Sequence, residues 1–319
     1  MARAYASAII DAPVQAVWSV MRNFNGLPLW HPAIKDSTIE GGLDADVVGC
    51  VRAFHLHDGA FVRERLLALD DQHHTFSYNF EPDAPAFPID NYIATVRLYP
   101  VTKGDQTFVE WEATFDEAPA DKGKYVDIVS NGVFAGGLKA LGAYIKAKKI
   151  KAPEGAPRWK AWSPNKVWTS AILHAPLTKV WAKVRDFAGM GAWHPGITKM
   201  HMLGGVRSDK VSGVRDFYFG PGHLHEELIH LSDVDHSFSY RITKCELPWL
   251  NYISGPRFWP ITATNETFAV WTGDWDASPH DDLVLMPTAE HEVYQKAFET
   301  LNAKYFTKKA ATPKAKKAK

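Results

Sequence analysis

Cysteine is nearly absent: Cys50 and Cys245 are the only two in 319 residues. They fall at unmatched points of the chain, so no disulfide framework is expected, which suits a reducing compartment. Charge of one sign is also missing. Lys plus Arg and Asp plus Glu both number 36, so no global field favours nucleic acid or an anionic membrane. No apolar run looks long enough to span a bilayer, and the first residues, Met1 to Ala8, lack the apolar core of a secretory signal. A glycine-rich phosphate loop and a serine nucleophile elbow are absent as well. Together these absences predict a soluble, cytoplasmic protein without nucleic-acid partners or membrane insertion.

What is present is a repeat. The length exceeds what one core usually supports, which predicts two domains. Ser7-Ala-Ile-Ile matches Ser170-Ala-Ile-Leu, and Val17-Trp18 matches Val180-Trp181. Trp30-His31-Pro32 returns as Trp193-His194-Pro195, and Val51-Arg52 as Val214-Arg215. Phe76-Ser77-Tyr78 returns as Phe238-Ser239-Tyr240, Asn91-Tyr92-Ile93 as Asn251-Tyr252-Ile253, and Trp111 as Trp271. The order is kept with small spacing shifts, so one domain has been duplicated, and the repeat is too long for a solenoid. The expected boundaries are a first domain at 1–148, a Lys-, Pro- and Ala-rich linker at 149–166, a second domain at 167–306 and a basic, disordered tail at 307–319.

Within a copy, the alternation from Arg3 to Asp11 predicts a strand ended by Ala12-Pro13. Val14, Val17, Trp18 and Met21 follow helical spacing, and Asn25-Gly26 with Pro28 break that helix. Strands are expected over Val48 to Leu56, Phe61 to Leu69, His74 to Phe80, Asn91 to Tyr99 and Thr107 to Phe115. Asp58-Gly59 and Lys103-Gly104 mark hairpin turns. Lys122 to Lys148 carries apolar residues at helical spacing and predicts a long amphipathic helix; its counterpart is expected near Pro287 to Tyr305. The fold class is α+β, with an antiparallel sheet burying one face on a long helix, and a ligand space between them.

Two adjacent strands carry charges inside apolar stripes. Val48, Cys50, Arg52, Phe54 and Leu56 share one face; Val62, Glu64, Leu66 and Ala68 share another. The second copy repeats this with Val211, Gly213, Arg215, Phe217 and Phe219 against Leu224, Glu226, Leu228 and His230. If the stripes face inward, Arg52 with Glu64 and Arg215 with Glu226 are buried pairs whose charges offset each other's desolvation. A plain cross-strand ion pair gives the same pattern; its retention in both copies favours a pocket. Phe76, Tyr78, Tyr92 and Trp111, and Phe238, Tyr240, Tyr252 and Trp271, are the candidate aromatic walls of two cavities. A core tyrosine with a satisfied hydroxyl is the alternative for each tyrosine.

Histidines raise the question of metal. His55 and His57, and His223 and His225, form His-x-His pairs at non-equivalent positions. No third ligand appears at a useful spacing, so no metal is expected. His31 and His194 could either sit at a pocket mouth or cap their turns.

These motifs resemble the START-type, helix-grip superfamily, often called SRPBCC, that includes polyketide cyclases and pollen-allergen-like carriers. More narrowly, Val47 to Arg52, Arg63 to Asp70, Phe76 to Tyr78 and Asp90 to Thr95 resemble plant lachrymatory-factor-synthase-like proteins. The resemblance implies a curved sheet wrapped around a C-terminal helix in each copy. It also implies that Arg52 and Glu64, with Arg215 and Glu226, serve proton transfer on a small molecule. Tandem fusion departs from that single-domain family, as do Gly255-Pro256 and Gly220-Pro221-Gly222. The expected function is binding of a small, mostly apolar molecule with a polar end, with cofactor-free isomerisation, cyclisation or dehydration by a monomer. Non-catalytic carriage of a lipid or pigment is the rival.

Overall fold

The structure, a computed structural model, describes residues 1–156 and 165–307. Part of the expected linker, 157–164, and the tail from residue 308 lie outside the described residues. The chain divides into two compact units that follow the two copies of the repeat, apart from the segment Ile261–Asn265, which groups with the first.

The first unit holds β1 (Ala2–Ile10), α1 (Val14–Met21), β2 (Ile34–Ile39), β3 (Val51–Leu56), β4 (Phe61–Asp70), β5 (Thr75–Phe80), β6 (Asp90–Val101) and β7 (Gln106–Asp116). A long helix, α2, follows in three parts: Lys124–Asp127, a stretch wound in wider i→i+5 turns over Ile128–Ala135, and Gly136–Lys148. The sheet order is β1-β7-β6-β5-β4-β3-β2, all antiparallel, so β2 to β7 form a meander and β1 closes onto its last strand. Tyr125, Val129, Phe134, Leu138, Leu141 and Ile145 of α2 are buried in one core with the inner sheet face. By length and composition alone, Lys124–Lys148 is apolar enough to cross a membrane, which corrects the expectation that no such run exists. Here its apolar side is the core of the unit.

The second unit repeats the plan. It holds β8 (Val167–Leu173), α3 (Leu177–Val184), β9 (Ile197–Met202), β10 (Val214–Phe219), β11 (Gly222–Ser232), β12 (Ser237–Cys245), β13 (Leu250–Ile261) and β14 (Glu266–Asp276). Its sheet order is β8-β14-β13-β12-β11-β10-β9. The final helix, α4, starts at Pro279, not near Pro287, and runs through Thr288–Gln295 to Lys304. Ser278 caps it by accepting from the Asp281 amide. Pro287 therefore sits inside α4, where the chain passes into the wider turns.

Two stripe assignments need correction. Val48 and Val211 are exposed, because each precedes its strand. Ala68 and His230 also point outward, because β4 is bulged between Leu66 and Ala68 and β11 between Leu228 and His230. An extra residue inverts the alternation beyond it. The strands β2 and β9, just before the Gly41-Gly42 and Gly204-Gly205 turns, are too polar to show a clean period from which to draw bounds; they pair with β3 and β10 at the sheet edge.

Candidate functional site

Arg52 and Glu64 face each other across β3 and β4, and both are buried, at 3% and 5% exposure. The Arg52 Nε donates to Glu64 Oε2 at 2.7 Å and Nη2 lies 2.5 Å from the same oxygen. Nη1 donates to the carbonyl of Phe24 at 2.6 Å. The guanidinium carbon sits 3.9 Å from the centre of the Phe24 ring and 5.0 Å from that of Tyr78, a contact that compensates part of the lost hydration. Burial pushes the Glu64 carboxyl above the usual range, although the Arg52 charge and hydrogen bond pull it down.

Beside the pair lies a cavity of about 100 Å³. Arg52, Glu64, Phe54, Tyr78, Tyr92 and Trp111 all line it. Phe76 does not: it packs behind the wall on Trp18, Phe24 and Tyr78. Phe80, of the same stripe as Phe76 and Tyr78, also lines it, stacked on Tyr92 at 4.0 Å, and Phe87 from the β5–β6 loop with Val129 and Val133 of α2 join the wall, which strand periodicity does not reveal. The Tyr78 hydroxyl accepts from Trp111 Nε1 at 3.0 Å, and burial raises the pKa values of Tyr78 and Tyr92. Both tyrosines are therefore neutral hydrogen-bonding groups, not acids, near neutral pH.

His31 combines both roles left open for it. Its Nδ1 accepts from the Ala33 amide, capping the Trp-His-Pro turn, and its Nε2 faces the Val133 carbonyl at 3.4 Å. An amide donor on one nitrogen and a carbonyl on the other select the neutral Nε2–H tautomer. Burial keeps its pKa low. His31 also lines the cavity, so it ties the turn to the widened segment of α2 at the ligand space. His194 repeats these contacts with Gly196 and Val293.

In the second unit the ion pair is reproduced almost to the atom. Arg215 Nε and Nη2 lie 2.7 and 2.5 Å from Glu226 Oε2, and Nη1 donates to the Phe187 carbonyl at 2.6 Å. Burial likewise raises the Glu226 pKa against the pull of Arg215. The cavity, however, shrinks to about 20 Å³, room for about one water. Arg215, Phe217, Glu226, Tyr240 and Tyr252 line it, but Phe238 and Trp271 do not. Phe238 packs on Phe187 and Tyr240.

The filling is coordinated. Phe219 stands where the first copy has Leu56, and Gly196 where it has Ala33; a Cβ on Gly196 would lie 2.7 Å from the Phe219 ring. Trp249 replaces Ile89 and lines the residual space. Tyr294 replaces Phe134, Ser254 replaces Ala94 and Gly273 replaces Ala113. The Tyr294 hydroxyl accepts from Tyr252 at 2.6 Å and donates to Ser254 Oγ at 2.9 Å, with Ser254 in turn donating to the Thr272 carbonyl. Trp271 Nε1 donates to Ser254 at 3.0 Å, and its ring stacks on Tyr294. A polar network thus occupies what is apolar core in the first copy.

The histidines also differ from expectation. Sequence spacing shows no third partner for His223 and His225, yet β10 places Asp216 beside both. The partner was invisible because it is a cross-strand neighbour from a strand that precedes the turn.

Both units are helix-grip folds of the α+β class, each a seven-stranded antiparallel sheet with a long C-terminal helix over its inner face. The chain belongs to the polyketide cyclase/dehydrase and lipid transport family, which matches residues 1–146 and again 164–305. Among solved structures it is similar to XoxI from Bacillus cereus, at 29% identity over 46% of this chain and 99% of that one (TM-score 0.41). A protein from Thermobifida fusca matches at 31% identity over 46% of this chain and 95% of that one (TM-score 0.42). The di-domain ARO/CYC BexL of the BE-7585A biosynthetic pathway matches over 95% of this chain and 94% of that one, at 13% identity (TM-score 0.38).

Proposed function

We propose that the first unit binds a small, mostly apolar molecule with a polar end and catalyses cofactor-free proton transfer on it, an isomerisation, cyclisation or dehydration. The observation that carries this is a buried carboxyl of raised pKa on the wall of an aromatic cavity. Arg52 holds the polar end by charge-assisted hydrogen bonds from guanidinium hydrogens not used on Glu64 and Phe24. Both Arg52 contacts to the carboxylate land on Glu64 Oε2, which leaves Oε1 outside the ion pair. Burial raises this carboxyl's pKa, which makes its protonated form available as a general acid over a wider pH range than that of a solvated glutamate. The Tyr78 and Tyr92 hydroxyls orient the ligand.

Size narrows the substrate. An apolar cavity of roughly 150 Å³ accommodates benzene, so about 100 Å³ suits on the order of four to six heavy atoms. A multi-ring substrate would require the β5–β6 loop and α2 to separate. In the second unit the same ion pair acts as a clamp, fixing the Phe187 carbonyl and joining β10 to β11, around a space too small for a comparable ligand.

That conserved clamp favours one rival, carriage without chemistry, in which Arg52 and Glu64 hold the wall and anchor the ligand. Mass spectrometry of small molecules released from the denatured, purified protein names the ligand. Glu64→Gln then decides: turnover lost with ligand binding kept supports catalysis, whereas a wild-type protein that binds the ligand and never converts it establishes a carrier.

A further inference from the structure

On the sheet face opposite the Arg215–Glu226 pair, three groups converge. Asp216 lies on β10, and His223 and His225 lie two apart on β11, so all three side chains leave the same face. Their ligand atoms lie within 4.8 Å of one another. His223 Nε2 is 3.0 Å from Asp216 Oδ1, and His225 Nε2 is 2.9 Å from Oδ2. The His225 contact is close but not aligned as a hydrogen bond, so that buried nitrogen has no hydrogen-bond partner. The two imidazoles stand 5.0 Å apart and nearly perpendicular, with His223 stacked on Tyr218 at 4.7 Å.

We propose that Asp216, His223 and His225 form a binding site for a divalent transition-metal ion of the zinc class. Zinc takes imidazole nitrogen and carboxylate oxygen at about 2.0–2.2 Å, and tetrahedral geometry then sets donors about 3.3 Å apart. Two of the distances here already lie near that value, so small side-chain rotations admit an ion. Two imidazoles and one carboxylate are donors that zinc, copper, nickel and iron(II) share. Three protein ligands leave a position open. His201 of β9 is the direct cross-strand neighbour of Asp216, but its Nδ1 lies 3.2 Å from the Lys199 carbonyl, so the open position is left to water. The Asp216 carboxylate, 3.0 Å from His223 Nε2, supplies the oxygen donor. Two cations stand nearby: Lys199, over the Tyr218 ring, and Lys244, opposite His225 on β12. They weaken the site without occupying it.

The repeat supplies an internal control. The first copy has Ala53, Phe61 and Arg63 at the three positions, and so has no counterpart of the cluster. All three ligating types differ between the copies, whereas the neighbouring ion pair is present in both.

The test uses the untagged full chain, stripped with EDTA and titrated with Zn²⁺ alone by calorimetry and with Co²⁺ by visible absorption. One ion per chain is expected, with a cobalt spectrum of low coordination number. Asp216→Ala and His225→Ala should each weaken binding by at least about tenfold. His55→Ala, which removes the exposed His55–Asp36 pair of the first unit, should leave it unchanged. Circular dichroism confirms that each variant is folded. Absence of saturable binding, or equal affinity in the folded His225→Ala protein, overturns the proposal and leaves the cluster as an ion pair.

Discussion

Gly273 and Tyr294 form a coupled pair whose energetics follow from one distance. A Cβ on Gly273 would lie 2.1 Å from the Tyr294 hydroxyl oxygen, far inside contact, and 3.2 Å from the ring carbon that bears it. Gly273→Ala in the wild-type background must displace a ring locked between Trp271 and the Ser254–Tyr252 hydrogen bonds. Overpacking of this kind costs about 1–3 kcal/mol, while replacing a strand glycine by alanine returns roughly 0.5–1 kcal/mol. The net loss is about 1–2 kcal/mol. Tyr294→Phe removes the acceptor of the Tyr252 hydroxyl and one donor to Ser254, with an expected loss of about 1–3 kcal/mol. In the Tyr294→Phe background the clash is gone, and the remaining ring contact is the one that Ala113 and Phe134 make in the first copy. Gly273→Ala should there be neutral or slightly stabilising. The coupling is thus about 1–3 kcal/mol and reverses the sign of the alanine effect. Thermal unfolding of the full-length single and double variants measures it, with a 2 kcal/mol loss moving the midpoint by roughly 4–8 °C. Hydrogen exchange in β13 and β14 assigns the change to the second unit. Losses that add to within about 0.5 kcal/mol would refute the reasoning, because additivity is the signature of uncoupled sites.

Other expectations follow from the same geometry. Arg52→Ala leaves the Glu64 carboxyl buried without a partner and frees the Phe24 carbonyl, so urea unfolding should show a loss of about 3–5 kcal/mol; a loss below about 1 kcal/mol would mean the pair is not a clamp. The raised pKa values of Glu64 and Glu226 set a sign for pH dependence. A carboxyl whose folded-state pKa exceeds its unfolded value contributes stability that is full below the unfolded value, near 4.3, and is lost as pH rises through the folded one. Unfolding free energy measured upward from pH 4 should therefore carry a falling component from these two groups, and Glu64→Gln should flatten part of it; an unchanged slope contradicts the assignment. Ala33→Gly combined with Leu56→Phe copies the Gly196–Phe219 filling into the first unit. It should abolish binding of the co-purified ligand while leaving the melting midpoint within a few degrees, whereas retained affinity would place the ligand elsewhere.

The sequence by itself determined the duplication, the antiparallel strands, the long closing helices and the inward direction of Arg52 with Glu64 and Arg215 with Glu226. These follow from local periods of two and 3.6 residues and from a motif order repeated along the chain, and such signals do not depend on what packs where. It lost the alternation at Ala68 and His230, since a bulge costs one residue and leaves no mark in composition. The tertiary structure alone decided that the two copies are not two equal pockets. Whether a hollow survives depends on volumes brought together from distant segments, such as Gly196 with Phe219, and Trp249 against the residual space. It also alone decided that Asp216 meets His223 and His225, because strand register, not sequence spacing, determines which side chains become neighbours.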